Sequence, residues 1–361
     1  RWTVFCLPEH YFKLCISESA LASHRGAHKT DMILRWRRFP LVAELPTCIT
    51  LEPTSECNLK CIMCSRQHIS PVRDSYTMSL EEFRKIVNQF PRLKDLTFAG
   101  YGEPFVNPHL VSMIRYGKEK GLSVRVITNG KLLPRFNPRT IIESGLDRID
   151  ISIHAAEPET FRYIRGENDG HLEEVKKSVH ILVRERARNG GTPTIVINIV
   201  AMKPNLKEIP RVIDWAIHIG ADEVSIARLT IFGKGAQAVS LDKNHMKELV
   251  RYKREGEKKG MTVILCDRGD YCYDLWNHII IKADGSVIPC VGLDSDYSLG
   301  NLHTISAGDL WNSQAYQGLR QDFLSGILKE CKRCAQGGTI ESPLERLTQK
   351  FRRRISRIFP S

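Results

Sequence analysis

Apolar residues along this chain follow two rhythms that alternate. Short runs rich in β-branched and aliphatic residues read as strands at Cys48–Glu52, Leu96–Phe98, Val124–Thr128, Ile149–Ile153, Ile195–Val200 and Val224–Ala227. Between them, apolar side chains recur every three or four positions, the period of a helix with one buried face. Ser79-Leu-Glu-Glu82 opens such a helix with a reciprocal capping pattern, and Phe83, Ile86, Val87 and Phe90 share one side of it. Further helices are expected over Pro108–Lys120, closed by Gly121, near Arg139–Ser144, and over Leu172–Arg188, Leu206–Ile219 and Asp242–Lys259. Six strand–helix units with short connections predict an α/β fold: a parallel sheet wound with helices, a partial (β/α)6 TIM-like barrel. Functional residues in such barrels gather at the C-terminal ends of the strands.

From about Met261 the rhythm changes. His278–Cys290 reads as a β-hairpin with an Asp284-Gly285 turn, and a loop-rich, cysteine-bearing stretch follows. The pattern divides the chain into an N-terminal extension (1–46), the barrel (47–260), a small C-terminal hairpin and loop domain (261–341) and a tail (342–361). In that tail Leu344, Leu347, Phe351, Ile355 and Ile358 recur at helical spacing, with Arg346, Lys350, Arg353, Arg354 and Arg357 mostly between them. A basic amphipathic helix of this kind either caps the barrel or makes peripheral contact with an anionic membrane.

The 361 residues hold 42% hydrophobic and 26% charged side chains, the balance of an ordinary globular protein. No apolar run is long enough to span a bilayer. Glu9, His10, Lys13 and Glu18 interrupt the first twenty residues, which make a poor signal peptide. The chain opens on Arg1, and Met32 is a candidate natural start. The net charge of +12 is concentrated in the tail and spread over helix faces such as Arg184, Arg186 and Arg188, with no aromatic-interleaved stripe, so no nucleic-acid partner is expected. Eleven cysteines, an odd number, without a secretion signal point to reduced thiols in a cytoplasmic setting. Cys6, Cys15 and Cys48 belong to no motif and read as buried or incidental thiols.

Cys57, Cys61 and Cys64 form a Cys-x3-Cys-x2-Cys cluster. Three thiols in one short loop are too many for one disulfide and one short of the four that normally enclose a zinc ion or an iron–sulfur cube. A cube held by three sulfurs leaves one iron open for chemistry. A zinc site or three unrelated thiols is the plainer alternative. With its flanks, Glu-Cys-Asn-Leu-Lys-Cys-Ile-Met-Cys-Ser, the cluster resembles the radical S-adenosylmethionine (radical SAM) superfamily. That resemblance implies a [4Fe-4S] cluster whose open iron is chelated by SAM, and reductive cleavage of SAM to a 5′-deoxyadenosyl radical.

The resemblance extends over roughly Thr47–Ala227. Gly100-Tyr-Gly102-Glu103-Pro104 looks like the family's GGEP motif, with Tyr101 where a glycine often sits. It implies that Gly102 and Glu103 hold the methionine amino group of SAM. Asn129 and Ser152 match positions that contact the ribose or carboxylate, and Arg165 matches an arginine that pairs with the carboxylate, work suited to a planar fork of donors. Asn198 or Met202 would touch the adenosine. The position before the third cysteine, usually aromatic and near the adenine, is Met63, whose thioether can pack on a ring edge.

Cys272, Cys290, Cys331 and Cys334 form a second set, two flanking the hairpin and two in a Cys-x2-Cys knuckle. By their chemistry they suit a structural zinc or a second cluster equally well. Leu299-Gly-Asn-Leu, Leu310-Trp-Asn-Ser and Leu319-Arg ahead of the knuckle resemble the SPASM extension of radical SAM enzymes, closer to its shortened twitch form. This implies one auxiliary [4Fe-4S] cluster, for which Cys266 is a less well-spaced substitute ligand. The family further implies an electron donor such as flavodoxin or ferredoxin. The expected function is oxidation of a small molecule or sugar with help from the auxiliary cluster. The alternatives are a peptide-modifying maturase, its peptide-recognition domain then residing on another protein, and a non-catalytic metal-binding scaffold.

Overall fold

The computed structural model describes residues 42, 44–67, 75–167, 171–229, 233–242, 244–266, 274–290, 293, 299–328 and 331. The basic tail, Cys6, Cys15, Cys272 and Cys334 lie outside the described residues.

The six expected strands form as β1 (Cys48–Leu51), β2 (Asp95–Phe98), β3 (Ser123–Thr128), β4 (Arg148–Ser152), β5 (Thr194–Ala201) and β6 (Glu223–Arg228). Each pairs in parallel with the next. Helices α1 (Leu80–Val87), α2 (Leu110–Glu119), α3 (Pro138–Ile142), α4 (Pro158–Arg165), α5 (Leu172–Arg188) and α6 (Ile209–Ile219) return the chain between strands. The Ser79–Glu82 capping box is present at the start of α1, whose Phe83, Ile86 and Val87 are buried. Phe83 stacks at 5.6 Å on Phe98 of β2, which couples the helix face to the sheet.

The sheet extends past those six strands at both edges. Helices α7 (Gly233–Val239) and α8 (His245–Lys258) lead to β7 (Thr262–Cys266), parallel to β6. A short helix α9 (Asp274–Asn277) precedes β8 (His278–Ile281), which pairs in parallel with β1, Cys48 beside His278 and Leu51 beside Ile281. Strand β9 (Val287–Ile288) folds back antiparallel on β8, as the Asp-Gly turn predicts. The order β7-β6-β5-β4-β3-β2-β1-β8-β9 has two edges, so the barrel is not closed.

Charged side chains bind the strands together inside this curve. Asp150 of β4, wholly buried, accepts from Arg125 Nε and Nη2 at 2.6 Å each and from Arg148 Nε and Nη2 at 3.0 and 3.1 Å. Arg148 reaches across β5 to Glu223 of β6 at 2.8 Å. The two guanidiniums outweigh burial and hold the Asp150 carboxyl below its ordinary range.

The C-terminal part packs on the sheet's β1–β8 side. Helices α10 (Ala307–Trp311) and α11 (Gln314–Leu324) are capped by Ser306 and Ser313. Arg320 is buried between the rings of Trp311 and Tyr316, 4.4 and 4.5 Å from their centroids, and donates to the Leu275 carbonyl at 2.8 Å. Burial lowers this guanidinium's pKa to about 10. Trp311 Nε1 donates to the Glu44 carbonyl, and Asn312 exchanges two hydrogen bonds with the backbone of Val42. The segment entering β1 is thereby clamped by the far end of the chain. Among the described residues no helix is long and apolar enough to cross a membrane.

Candidate functional site

The site collects where β1 to β4 end. Leaving β1, the chain passes Glu52 and Thr54 into the cysteine loop, whose backbone is held from outside. Lys60 N–H donates to the Arg165 carbonyl at 3.2 Å and Ile62 N–H to the Ile164 carbonyl at 3.0 Å. These are carbonyls at the C-terminal end of α4, which an α-helix leaves without internal partners. The cysteine loop therefore caps α4, and α4 shapes the loop. Gly166 ends the helix in the left-handed conformation (φ 64°), and a Cβ there would lie 2.2 Å from the Lys60 carbonyl oxygen. Gly166→Ala is accordingly expected to push the loop off the helix. Iron retained after anaerobic reconstitution should fall, while far-UV circular dichroism keeps its helical signal; wild-type iron content in that variant would refute the arrangement.

Cys57, Cys61 and Cys64 are half-buried, and an ionised Cys64 disfavours ionisation of both Cys57 and Cys61. Burial pushes all three thiols up, Cys61 to about 12. Arg165 opposes the rise at Cys61, and Arg66 opposes it at Cys57 and Cys64. Among the described residues no three His, Cys, Asp or Glu side chains form a group that could hold a single metal ion. The three thiols, whose protons burial retains, suit a cubane iron–sulfur cluster by the chemistry of their donors, with Arg165 and Arg66 nearby to favour thiolate.

Asn129, just past β3, ties the expected SAM contacts together. Its N–H donates to Glu103 Oε2 at 2.7 Å, its carbonyl accepts from Arg165 Nη1 at 2.8 Å, and its Nδ2 donates to Asn58 Oδ1 at 2.8 Å and lies 3.9 Å from Cys57 Sγ. Glu103 is buried, and its Oε1 also accepts from Thr128 Oγ1 (2.7 Å) and Phe105 N–H (3.2 Å). Its carboxylate thus joins the loop before it to the end of β3. Gly102 lies against the chain leaving β1, where a Cβ would come 1.8 Å from the Thr54 carbonyl oxygen; only glycine fits. Arg165 is fully buried, with its Nε 3.4 Å from Glu167 Oε2 and its guanidinium over the Phe161 ring at 4.5 Å. Ser152 ends β4 opposite Asn198 of β5, both half-buried, while Met202 is wholly buried. Met63 packs partly buried against the core.

Other contributors carry no motif. His154, after β4, accepts from Val200 N–H at 3.2 Å. Burial and then the Arg165 charge push its pKa down to about 3, so its ring is neutral. Glu52 and Thr128 at strand ends, Asn58 within the cysteine loop, Lys131 after Asn129 and Glu167 after α4 also take part. Of the second cysteine set, Cys290 follows β9 and Cys331 packs against the core. Cys266 ends β7 beside Ser225 at 3.6 Å, within range of the Arg125, Glu223 and Asp150 charges.

A family model described as the radical SAM superfamily matches residues 51–216, and one described as SPASM, an iron-sulfur cluster-binding domain, matches residues 272–335. The chain is 27% identical over 321 residues to the tungsten-containing aldehyde ferredoxin oxidoreductase cofactor-modifying protein of Pyrococcus furiosus, covering 79% of this chain and 86% of that one. It is 26% identical over 314 residues to the PqqA peptide cyclase of Bradyrhizobium diazoefficiens, covering 80% and 79%. In fold it is similar to Streptococcus suis SuiB bound to its precursor peptide SuiA, with a TM-score of 0.64 and 15% identity over 91% of this chain and 84% of that one.

Proposed function

Because the chain belongs to the radical SAM superfamily and carries a SPASM-type C-terminal domain, we propose that it modifies a peptide substrate by removing hydrogen. The similarity to PqqA peptide cyclase carries this reading, since it spans about four-fifths of both chains. SuiB, solved with a precursor peptide, shares the fold. Oxidation of a small molecule or sugar, the expectation from sequence, has weaker support.

The cofactors are [4Fe-4S] clusters and SAM. Cys57, Cys61 and Cys64 would hold the SAM-binding cluster, and Cys272, Cys290, Cys331 and Cys334 the auxiliary one. A cluster held by those three cysteines and reduced by a donor such as flavodoxin or ferredoxin would supply the one-electron chemistry that cleaves SAM to a hydrogen-abstracting radical. The protein's own part is orientation and electrostatics. Gly102 lets its loop lie against the chain leaving β1, which sets the backbone that would meet the methionine end of SAM. Glu103 and Asn129 fix that loop against the cysteine loop. Arg165, held by the Asn129 carbonyl, keeps a cation beside Cys61 that favours thiolate and attracts a carboxylate. Ser152 and Met63 complete the lining. His154 stays neutral and takes no proton at physiological pH.

The reading is tested with anaerobically reconstituted protein, dithionite and SAM, presented separately with a panel of short synthetic peptides and a panel of sugars and alcohols. A peptide should accelerate 5′-deoxyadenosine formation and leave with the mass of two hydrogens missing. Acceleration by sugars or alcohols alone would overturn the proposal.

A further inference from the structure

One buried carboxylate receives amides from both cysteine-bearing parts of the chain. Glu52, the residue after β1, is 3% exposed and donates its own N–H to the Ile281 carbonyl at 2.8 Å. Its Oε2 accepts from Tyr101 N–H and, at 3.3 Å, from Gly102 N–H. Its Oε1 accepts from Ala283 N–H at 3.4 Å. Tyr101 and Gly102 belong to the loop assigned to the methionine end of SAM. Ala283 begins the turn that leads through β9 to Cys290, an expected ligand of the auxiliary cluster.

The surroundings are built around this side chain. A Cβ on Gly100 would lie 2.4 Å from Glu52 Oε2 and 2.6 Å from its Cβ and Cγ, so the glycine before Tyr101 is required by the carboxylate. Lys282, also buried, places its Nζ 6.0 Å from the Tyr101 ring centroid, and its charge acts on Glu52. The Glu52 charge in turn is felt at Cys64. No motif of the cysteine loop or of the hairpin includes Glu52.

We infer that Glu52 is a positioning residue that holds the 100–103 loop and the 282–290 hairpin in one register. The SAM side and the auxiliary side of the site are then set by the same side chain. It acts through amide hydrogen bonds accepted on both of its oxygens, and glutamine, with one oxygen and one NH2, keeps only one of the two sides. This rests on the assignment of SAM to residues 100–103, and the experiment separates the two ideas.

The test uses the full chain, reconstituted anaerobically, with SAM binding measured by equilibrium dialysis. The electron paramagnetic resonance spectrum of the auxiliary cluster is recorded after Cys57, Cys61 and Cys64 are replaced by alanine. Glu52→Ala should weaken SAM binding by about tenfold or more at unchanged iron content, as expected when several amides lose one acceptor. The same change should alter the auxiliary spectrum. Glu52→Gln, whose single oxygen can still accept from Tyr101 and Gly102 while its NH2 faces the Ala283 N–H, should bind SAM near the wild-type affinity but still alter the auxiliary spectrum. Gly100→Ala, which presses on the carboxylate from the loop side, should weaken SAM binding and supplies the second variant if Glu52→Ala does not fold. Wild-type SAM affinity in Glu52→Ala, or a Gln variant that binds SAM as weakly as the Ala variant, overturns the inference. Unchanged SAM binding in Gly102→Ala would instead remove the assignment of SAM to that loop.

Discussion

Replacing Cys61 with alanine is expected to abolish reductive cleavage of SAM and remove about half of the protein's iron, because a cube needs at least three protein sulfurs and only two remain in the loop. Cys61 is the middle of the three proposed ligands, its thiol pushed up by burial to about 12, with the Arg165 charge acting on it. Holding a metal replaces the proton that burial otherwise keeps on the sulfur, so the centre's formation and the thiol's deprotonation are one event. The fold should survive, since Cys61 lies in a loop while α4 and the sheet keep their own hydrogen bonds. The measurements are 5′-deoxyadenosine by chromatography, iron by elemental analysis and the thermal midpoint. Iron that remains should belong to Cys272, Cys290, Cys331 and Cys334, and stoichiometric zinc there would contradict an auxiliary iron–sulfur cluster. Undiminished SAM cleavage after all of Cys57, Cys61 and Cys64 become alanine would contradict the site itself.

Asp150→Ala is expected to destabilise the protein by about 3–5 kcal/mol, the usual consequence of removing one partner from a buried ion pair. Asp150 lies between Arg125 and Arg148 and takes two hydrogen bonds from each. Its loss leaves Arg125, 4% exposed, without its Asp150 carboxylate partner, and leaves Arg148 with Glu223. The effect should depend on pH in a definite direction. The folded-state pKa of Asp150 is below its unfolded value, so its contribution is present above the ordinary carboxylate range of about 4 and fades as pH falls through the lowered value. Chemical denaturation of wild type and variant should therefore differ most at neutral pH and converge in strong acid. An equal difference at every pH would mean that packing, not charge, holds these strands.

Regular elements were legible because their signals are local. Helix α5 begins and ends where its apolar period does, at Leu172 and Arg188. The capping box of α1 is contained in four adjacent residues. Helix α4 escaped the pattern although Pro158 near its start and Gly166 at its end are ordinary boundary signals, for it is short and only Phe161, Ile164 and Arg165 are buried. Strand β7 was read as part of the later region because its apolar run falls where the helical rhythm stops.

The sequence by itself determined the cysteine loop, the GEP loop and the alternating strands, since each depends on residues within a few positions of one another. It also placed Asn129 and Arg165 as candidates through their order in the chain. Only the tertiary structure decided that Asn129 links Glu103, Cys57 and Arg165, that α4 supports the cysteine loop, and that β8 lies in parallel beside β1. Ile279 pairs with Ile49 across 230 residues, and no local pattern of hydrophobic and polar positions carries that register. Glu52 shows the same limit: next to a strand it is one acidic residue among many, and it becomes a joint only when Tyr101, Gly102 and Ala283 are folded around its two oxygens. Hydrogen bonds between distant segments form once burial has removed water from those groups, so their partners are chosen by the packed fold rather than by neighbours in the chain.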